Sequence, residues 1–93
     1  MINSDPMTCP SCGFNYLHHE QVEVFPRPKE DAERYVGFEV SRQGLRTIPP
    51  DTNPSSRRDG LRIRFSCEGC DLLPSLTIVQ HKGQTFMEWE QRP

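Results

Sequence analysis

Short runs in which apolar and polar positions alternate dominate this chain, and they predict strands rather than helices. Leu61-Arg62-Ile63-Arg64-Phe65 alternates strictly, and Asp59-Gly60 just before it is a turn signal. Gln21-Val22-Glu23-Val24-Phe25, inside the longer stretch from Tyr16, alternates in part and is closed by Pro26 and Pro28. Arg34 to Ser41 is rich in aromatic and β-branched residues, which suit a pleated surface, with Gly37 as an expected bulge. Ser75 to His81 and Thr85 to Glu90 read as two more strands joined by a hairpin tip at Lys82-Gly83. Lys29 to Glu33 has room for one helical turn, and no amphipathic helix of useful length appears.

Between the second and third of these strands lies a stretch that reads as loop. Residues 42–60 hold Pro49, Pro50 and Pro54 together with Gly44 and Gly60, which break regular structure. The fold class expected is mainly β, about five short antiparallel strands with a long inserted loop. Residues 1–7 read as a polar, disordered lead-in, with either Met1 or Met7 as the native start, and 8–93 as one domain.

Four cysteines change this picture. They form two Cys-x-x-Cys pairs, Cys9-Pro10-Ser11-Cys12 and Cys67-Glu68-Gly69-Cys70, with 54 residues between the pairs. Each pair puts two thiolates on one tight turn, and two such turns brought together make a tetrahedral site suited to Zn²⁺. Gly13 follows the second ligand and tolerates positive φ, so backbone N–H groups can turn toward the sulfurs. A single structural zinc on Cys9, Cys12, Cys67 and Cys70 is therefore expected, joining the start of the first strand to the end of the Leu61–Phe65 strand.

Other chemistries fit these cysteines less well. A dithiol redox pair belongs ahead of a helix, and neither pair precedes a helical pattern. Structural disulfides require an oxidising compartment, and the chain opens without a charged and then apolar leader. An iron–sulfur cluster is the remaining alternative ligand set. Catalytic zinc needs an open coordination position, which four sulfurs remove. With only 33% hydrophobic residues in 93, the chain buries little apolar area, and small domains of that kind need a staple. No stretch approaches the ~20 apolar residues of a membrane helix, so a cytoplasmic setting is expected.

Charge matters by segment. Residues 1–41 carry a net charge of −4, residues 42–64 carry +4 and residues 65–93 carry −2. The basic segment owes its sign to Arg42, Arg46, Arg57, Arg58, Arg62 and Arg64. Guanidinium forks bind phosphate and carboxylate bidentately, so these six residues are the candidate surface for a nucleic acid or for a protein with an acidic face. Tyr16, Tyr35 or Phe38 would stack on bases. Alternatively, Arg62 and Arg64 lie on the outer face of a strand and pair with Glu23 or Glu39 on neighbouring strands.

The histidines add one further reading. His18 lies close enough to Cys12 to compete as a ligand, and His18-His19 invites comparison with zinc-stapled nucleases. The carboxylate, asparagine and histidine pattern of such a centre is missing, so no enzyme is expected.

The CPSCG and CEGC turns resemble the zinc-ribbon superfamily of transcription and translation proteins. CPSCG, YLHHEQVEVF, NPSSRRDGLRIRFSCEGC and QHKGQTFMEW together make the chain similar to a group of small zinc-ribbon proteins of actinobacteria and their phages and plasmids. That resemblance implies a bacterial or phage cytoplasmic setting and no particular activity. Superfamily members elsewhere bind nucleic acid, polymerase subunits or other proteins. The long insertion and the acidic balance set this chain apart from a simple DNA binder. The functional expectation is a zinc-stabilised binding module, nucleic-acid-associated through its arginines, or else a protein adaptor or inhibitor, monomeric or homodimeric. A nuclease is the third reading.

Overall fold

In a computed structural model, residues 5–27, 29, 34–56 and 58–92 are described. Six strands form one open antiparallel sheet, β1 (Leu17–Phe25), β2 (Gly37–Ser41), β3 (Gly44–Ile48), β4 (Gly60–Cys67), β5 (Leu73–His81) and β6 (Gln84–Arg92). Their order across the sheet is β3-β2-β1-β4-β5-β6. Among the described residues the one helical element is a 3₁₀ turn at Pro50–Thr52, and none of their helices is long and apolar enough to cross a membrane.

The mainly β expectation holds, with one strand more than the alternation predicts. Gly44–Ile48 is β3 and not loop. It pairs with β2 from Ser41↔Gly44 to Gly37↔Ile48 around a two-residue turn at Arg42-Gln43, and Gly44 takes the positive φ of +117° that closes it. Pro49 and Pro50 end the strand after five residues. The inserted loop thus shrinks to residues 49–59. The Lys82-Gly83 tip forms as expected, both residues at positive φ (49° and 80°), a backbone whose twist matches that of the flanking strands. The expected helical turn at 29–33 and the first four residues of the expected lead-in fall largely outside the described residues; Asp5 to Met7 are exposed.

The register assigns every side chain a face. Residues directly opposite one another share a face, and alternate residues along a strand change face. On one side the pairs Val22↔Ile63, Val24↔Leu61, Ile63↔Leu76 and Ile78↔Met87 build an apolar surface. On the other, Glu23↔Arg62, Glu39↔Arg46 and Arg62↔Thr77 build a charged and polar one. Glu20 is the extra residue of a bulge between His19 and Gln21, which lets β1 keep its pairing with β4 while re-aiming the histidines.

The loop at 49–59 covers the polar face, not the apolar one. The Arg62 guanidinium donates to the Thr52 carbonyl (3.0 Å) and the Ser55 hydroxyl donates to the Gln80 carbonyl (3.3 Å). A methyl on Gly60 would lie 2.0 Å from Asn53 Oδ1 and 3.0 Å from Pro54, so glycine is what lets the loop lie on the strand. Phe25, fully buried, packs its ring where a Cβ on Gly37 would stand, at 2.6 Å. Among the described residues the buried hydrophobic side chains are Cys9, Phe25, Phe65 and Leu76, and extensive packing between elements occurs only between adjacent strands.

Candidate metal centre

Both Cys-x-x-Cys turns lie at the same end of the sheet because β1 starts where β4 ends. Leu17 pairs with Cys67, and the Glu68 N–H donates to the Tyr16 carbonyl (3.2 Å). In the first turn the Gly13 N–H donates to the Cys9 carbonyl (2.9 Å) and the Cys9 N–H to the Phe14 carbonyl (2.8 Å). Gly13 adopts φ +77°, the conformation its position predicts. Phe14 then lies over the second turn, its side chain 2.8 Å from where a Cβ on Gly69 would stand. Glycine inside Cys67-Glu68-Gly69-Cys70 is therefore a packing requirement that joins the two turns.

The four sulfurs of Cys9, Cys12, Cys67 and Cys70 all lie within 4.8 Å of one another. The Cys9–Cys70 sulfurs are 3.8 Å apart and the Cys12–Cys67 sulfurs 3.6 Å. A regular tetrahedron of sulfurs around an ion at the zinc–thiolate distance of about 2.3 Å has edges of about 3.8 Å. The cysteines are free thiols, and these separations are far beyond the ~2.05 Å of a disulfide. The cluster thus fits one tetrahedral metal ion, and no other group of three or more candidate ligands occurs among the described residues.

Electrostatics support the same fit. The Cys9 thiol is lowered to about 6, first by the Cys12 backbone N–H and further by the Ser11 N–H, against the opposing effect of burial. Ser11 N lies 3.4 Å from the Cys9 sulfur, and Gly69 N lies 3.3 Å from the Cys67 sulfur. At Cys70 the Leu72 N–H favours the thiolate, yet desolvation and the three neighbouring sulfurs push the thiol up to about 12. At Cys12 the Phe14 N–H acts in the same favourable sense, but desolvation and the Cys67 and Cys9 sulfurs raise it. Four sulfurs this close do not all ionise on their own; a cation among them removes the repulsion.

No protein-family model, curated protein or solved structure matches the chain. What the four cysteines and their geometry support is a centre for one metal ion.

His18 is not in the sulfur cluster. Its Nε2 shares a hydrogen bond with the Glu68 carboxylate, tying β1 to the second turn from outside the metal centre.

The five described candidate arginines, Arg42, Arg46, Arg58, Arg62 and Arg64, are not brought into one stripe. Arg62 and Arg64 both reach Glu23, at 3.4 Å and 3.2 Å. Arg46 makes a two-pronged pair with Glu39, both distances 2.9 Å, and Arg42 lies 3.3 Å from Glu20. Arg58 sits in the loop, its N–H donating to the Ser55 hydroxyl and its carbonyl accepting from Asn53. Arg57 lies outside the described residues. The sequence reading of Arg62 and Arg64 as cross-strand partners of glutamate is the one the register satisfies. Glu23 takes both arginines and Glu39 takes Arg46 instead; Glu20, paired with Arg42 beside the bulge in β1, is the glutamate the sequence did not point to.

Proposed function

We propose that this chain is a zinc-stapled protein-interaction module. Zinc is the metal the centre favours, since it binds four thiolates tetrahedrally with no geometric demand of its own, and a closed four-sulfur shell holds structure and leaves no position for a substrate. The metal then serves to hold a binding surface in shape. Three surrounding observations support a protein as partner. The apolar face of the sheet leaves Val40, Leu45 and Met87 at 48%, 68% and 70% exposure, which is unusual for a surface without function. Four of the six basic-segment arginines spend their charge on glutamates of the same sheet. The polar face is itself occupied by the loop.

The observation that carries the reading is this inversion, an apolar face exposed toward both of its edges while the middle of the charged face, at Glu23, Arg62 and Thr77, is buried. Arg58, with Arg57 beside it in sequence, is what favours a nucleic-acid surface instead. The two are separated by titrating fluorescent single- and double-stranded DNA and RNA with the zinc-loaded protein across a salt series. The expected result is no binding at physiological salt. An affinity that falls steeply with salt and disappears in Arg57→Ala/Arg58→Ala would replace the protein-interaction reading with a nucleic-acid surface.

A further inference from the structure

We infer that the occupant of the open apolar face is a second copy of this chain, packed sheet against sheet about a two-fold axis. The inference rests on the protein-interaction reading above and adds the identity of the partner.

A β-sheet with one apolar face is stable when that face is buried under another layer. Here the loop at 49–59 lies on the opposite face, and among the described residues extensive packing between elements joins only neighbouring strands.

The chemistry of the face narrows the choice. The register places Val22, Val24, Leu61, Ile63, Ile78 and Met87 there, and no Asp, Glu, Lys or Arg among the paired positions. A face without charge offers nothing to steer or select an acidic or basic partner. It is complementary to an equally uncharged, pleated surface of the same twist, which its own copy supplies. Two such sheets pack about 10 Å apart with strands inclined by about 30°. With strands spaced about 4.8 Å and five residues of each at about 3.4 Å, the six-stranded face measures about 29 by 17 Å. Both copies together then bury about 1,000 Å² before side-chain relief is added, which reaches the lower limit for a biological interface and approaches the ~1,200 Å² at which stable ones begin. The arrangement is isologous, with central strands β1 and β4 of each copy nearest the axis.

Sedimentation equilibrium of the zinc-loaded full chain at micromolar concentration tests this. Wild type is expected at twice the chain mass. Val40→Lys/Met87→Lys changes two positions already 48% and 70% exposed in one copy, so zinc content and circular dichroism are expected to be unchanged. Its dimer Kd is expected to rise at least about a hundred-fold, because four like charges would be buried without partners. Phe86→Lys, on the opposite face by its pairing with Val79, is expected to leave the dimer intact. A dimer that survives Val40→Lys/Met87→Lys, or is lost only in Phe86→Lys, overturns the proposal. A monomeric wild type overturns it as well, and a hydrophobic dye then separates the two levels. Dye binding that Val40→Lys/Met87→Lys abolishes leaves the face open to a different protein, whereas a monomer that binds no dye refutes the protein-interaction reading too.

Discussion

Arg62 and Glu23 face one another across β4 and β1, their side chains only 8% and 7% exposed. They are the middle of a row that crosses the whole sheet in register, Arg46, Glu39, Glu23, Arg62, Thr77 and Glu88. Two glutamates are neighbours in that row, and like charges directly opposite destabilise a sheet. Arg46 on one side and Arg62 with Arg64 on the other offset the repulsion.

Removing the shared carboxylate is therefore costly. Glu23→Ala strips Arg62 of its nearest counter-charge while the guanidinium stays buried under Thr52. A loss of about 3–5 kcal/mol is expected, as for breaking other buried pairs from one side. Urea unfolding of the zinc-loaded variant against wild type measures it, and a change under 1 kcal/mol, on the order of an exposed pair, would show that water reaches Arg62.

Glu39 carries a pH dependence. Its hydrogen bonds to Arg46 hold the carboxyl below its usual value near 4.5, reinforced by the Arg46 and Arg64 charges and opposed by desolvation. A depressed carboxyl contributes stability that is fully present above the unfolded-state value, about 4.3, and is lost as pH falls through the folded value. The stability difference between wild type and Glu39→Gln should thus favour wild type at neutral pH and shrink below about pH 4.5. Taking the difference cancels the acid sensitivity of the metal centre, common to both proteins.

The metal centre is expected to dominate folding. Cys9→Ser or Cys70→Ser leaves three thiolates, and the few buried hydrophobic side chains do not compensate for a metal contribution on the order of 10 kcal/mol. Both variants, and wild type treated with a chelator, are expected to lose their cooperative unfolding transition. Circular dichroism beside zinc analysis checks this; a well-folded, metal-free Cys9→Ser protein would contradict it.

Gly37 is held small by Phe25. Gly37→Ala places a methyl 2.6 Å from the Phe25 ring and 3.1 Å from Ile48. Phe25 is fully buried, so the ring has little room to withdraw, and a loss of about 1–3 kcal/mol is expected for overpacking of this kind. Gly44→Ala meets no neighbour within 4 Å; its cost comes from the backbone at φ +117° alone. Thermal melts of the two variants distinguish crowding from backbone strain.

Much of this was legible in the residues themselves. The Cys-x-x-Cys spacing, with Gly13 after the first pair, specifies two ligand turns by local backbone geometry alone. Alternation over Leu61–Phe65 and the Lys82-Gly83 tip likewise depend on neighbours in sequence. Gly44–Ile48 escaped because a five-residue, largely exposed edge strand becomes a strand only when β2 supplies its hydrogen bonds.

Which charges meet, and which face stays open, depended on tertiary structure. The alternation of β4 shows that Arg62 and Arg64 share a face, but whether they join a basic surface or pair with glutamates is decided only when the register of β1 and β2 sets Glu23 against Arg62 and Arg64, and Glu39 against Arg46. Nor does any local pattern say that the loop at 49–59 folds over the charged side. Its hydrogen bonds to Arg62 and Gln80 join residues 10 and 25 positions apart. Short-range sterics and ligand spacing are written into consecutive residues; charge pairing and the covering of a sheet face belong to contacts that only the folded chain brings together.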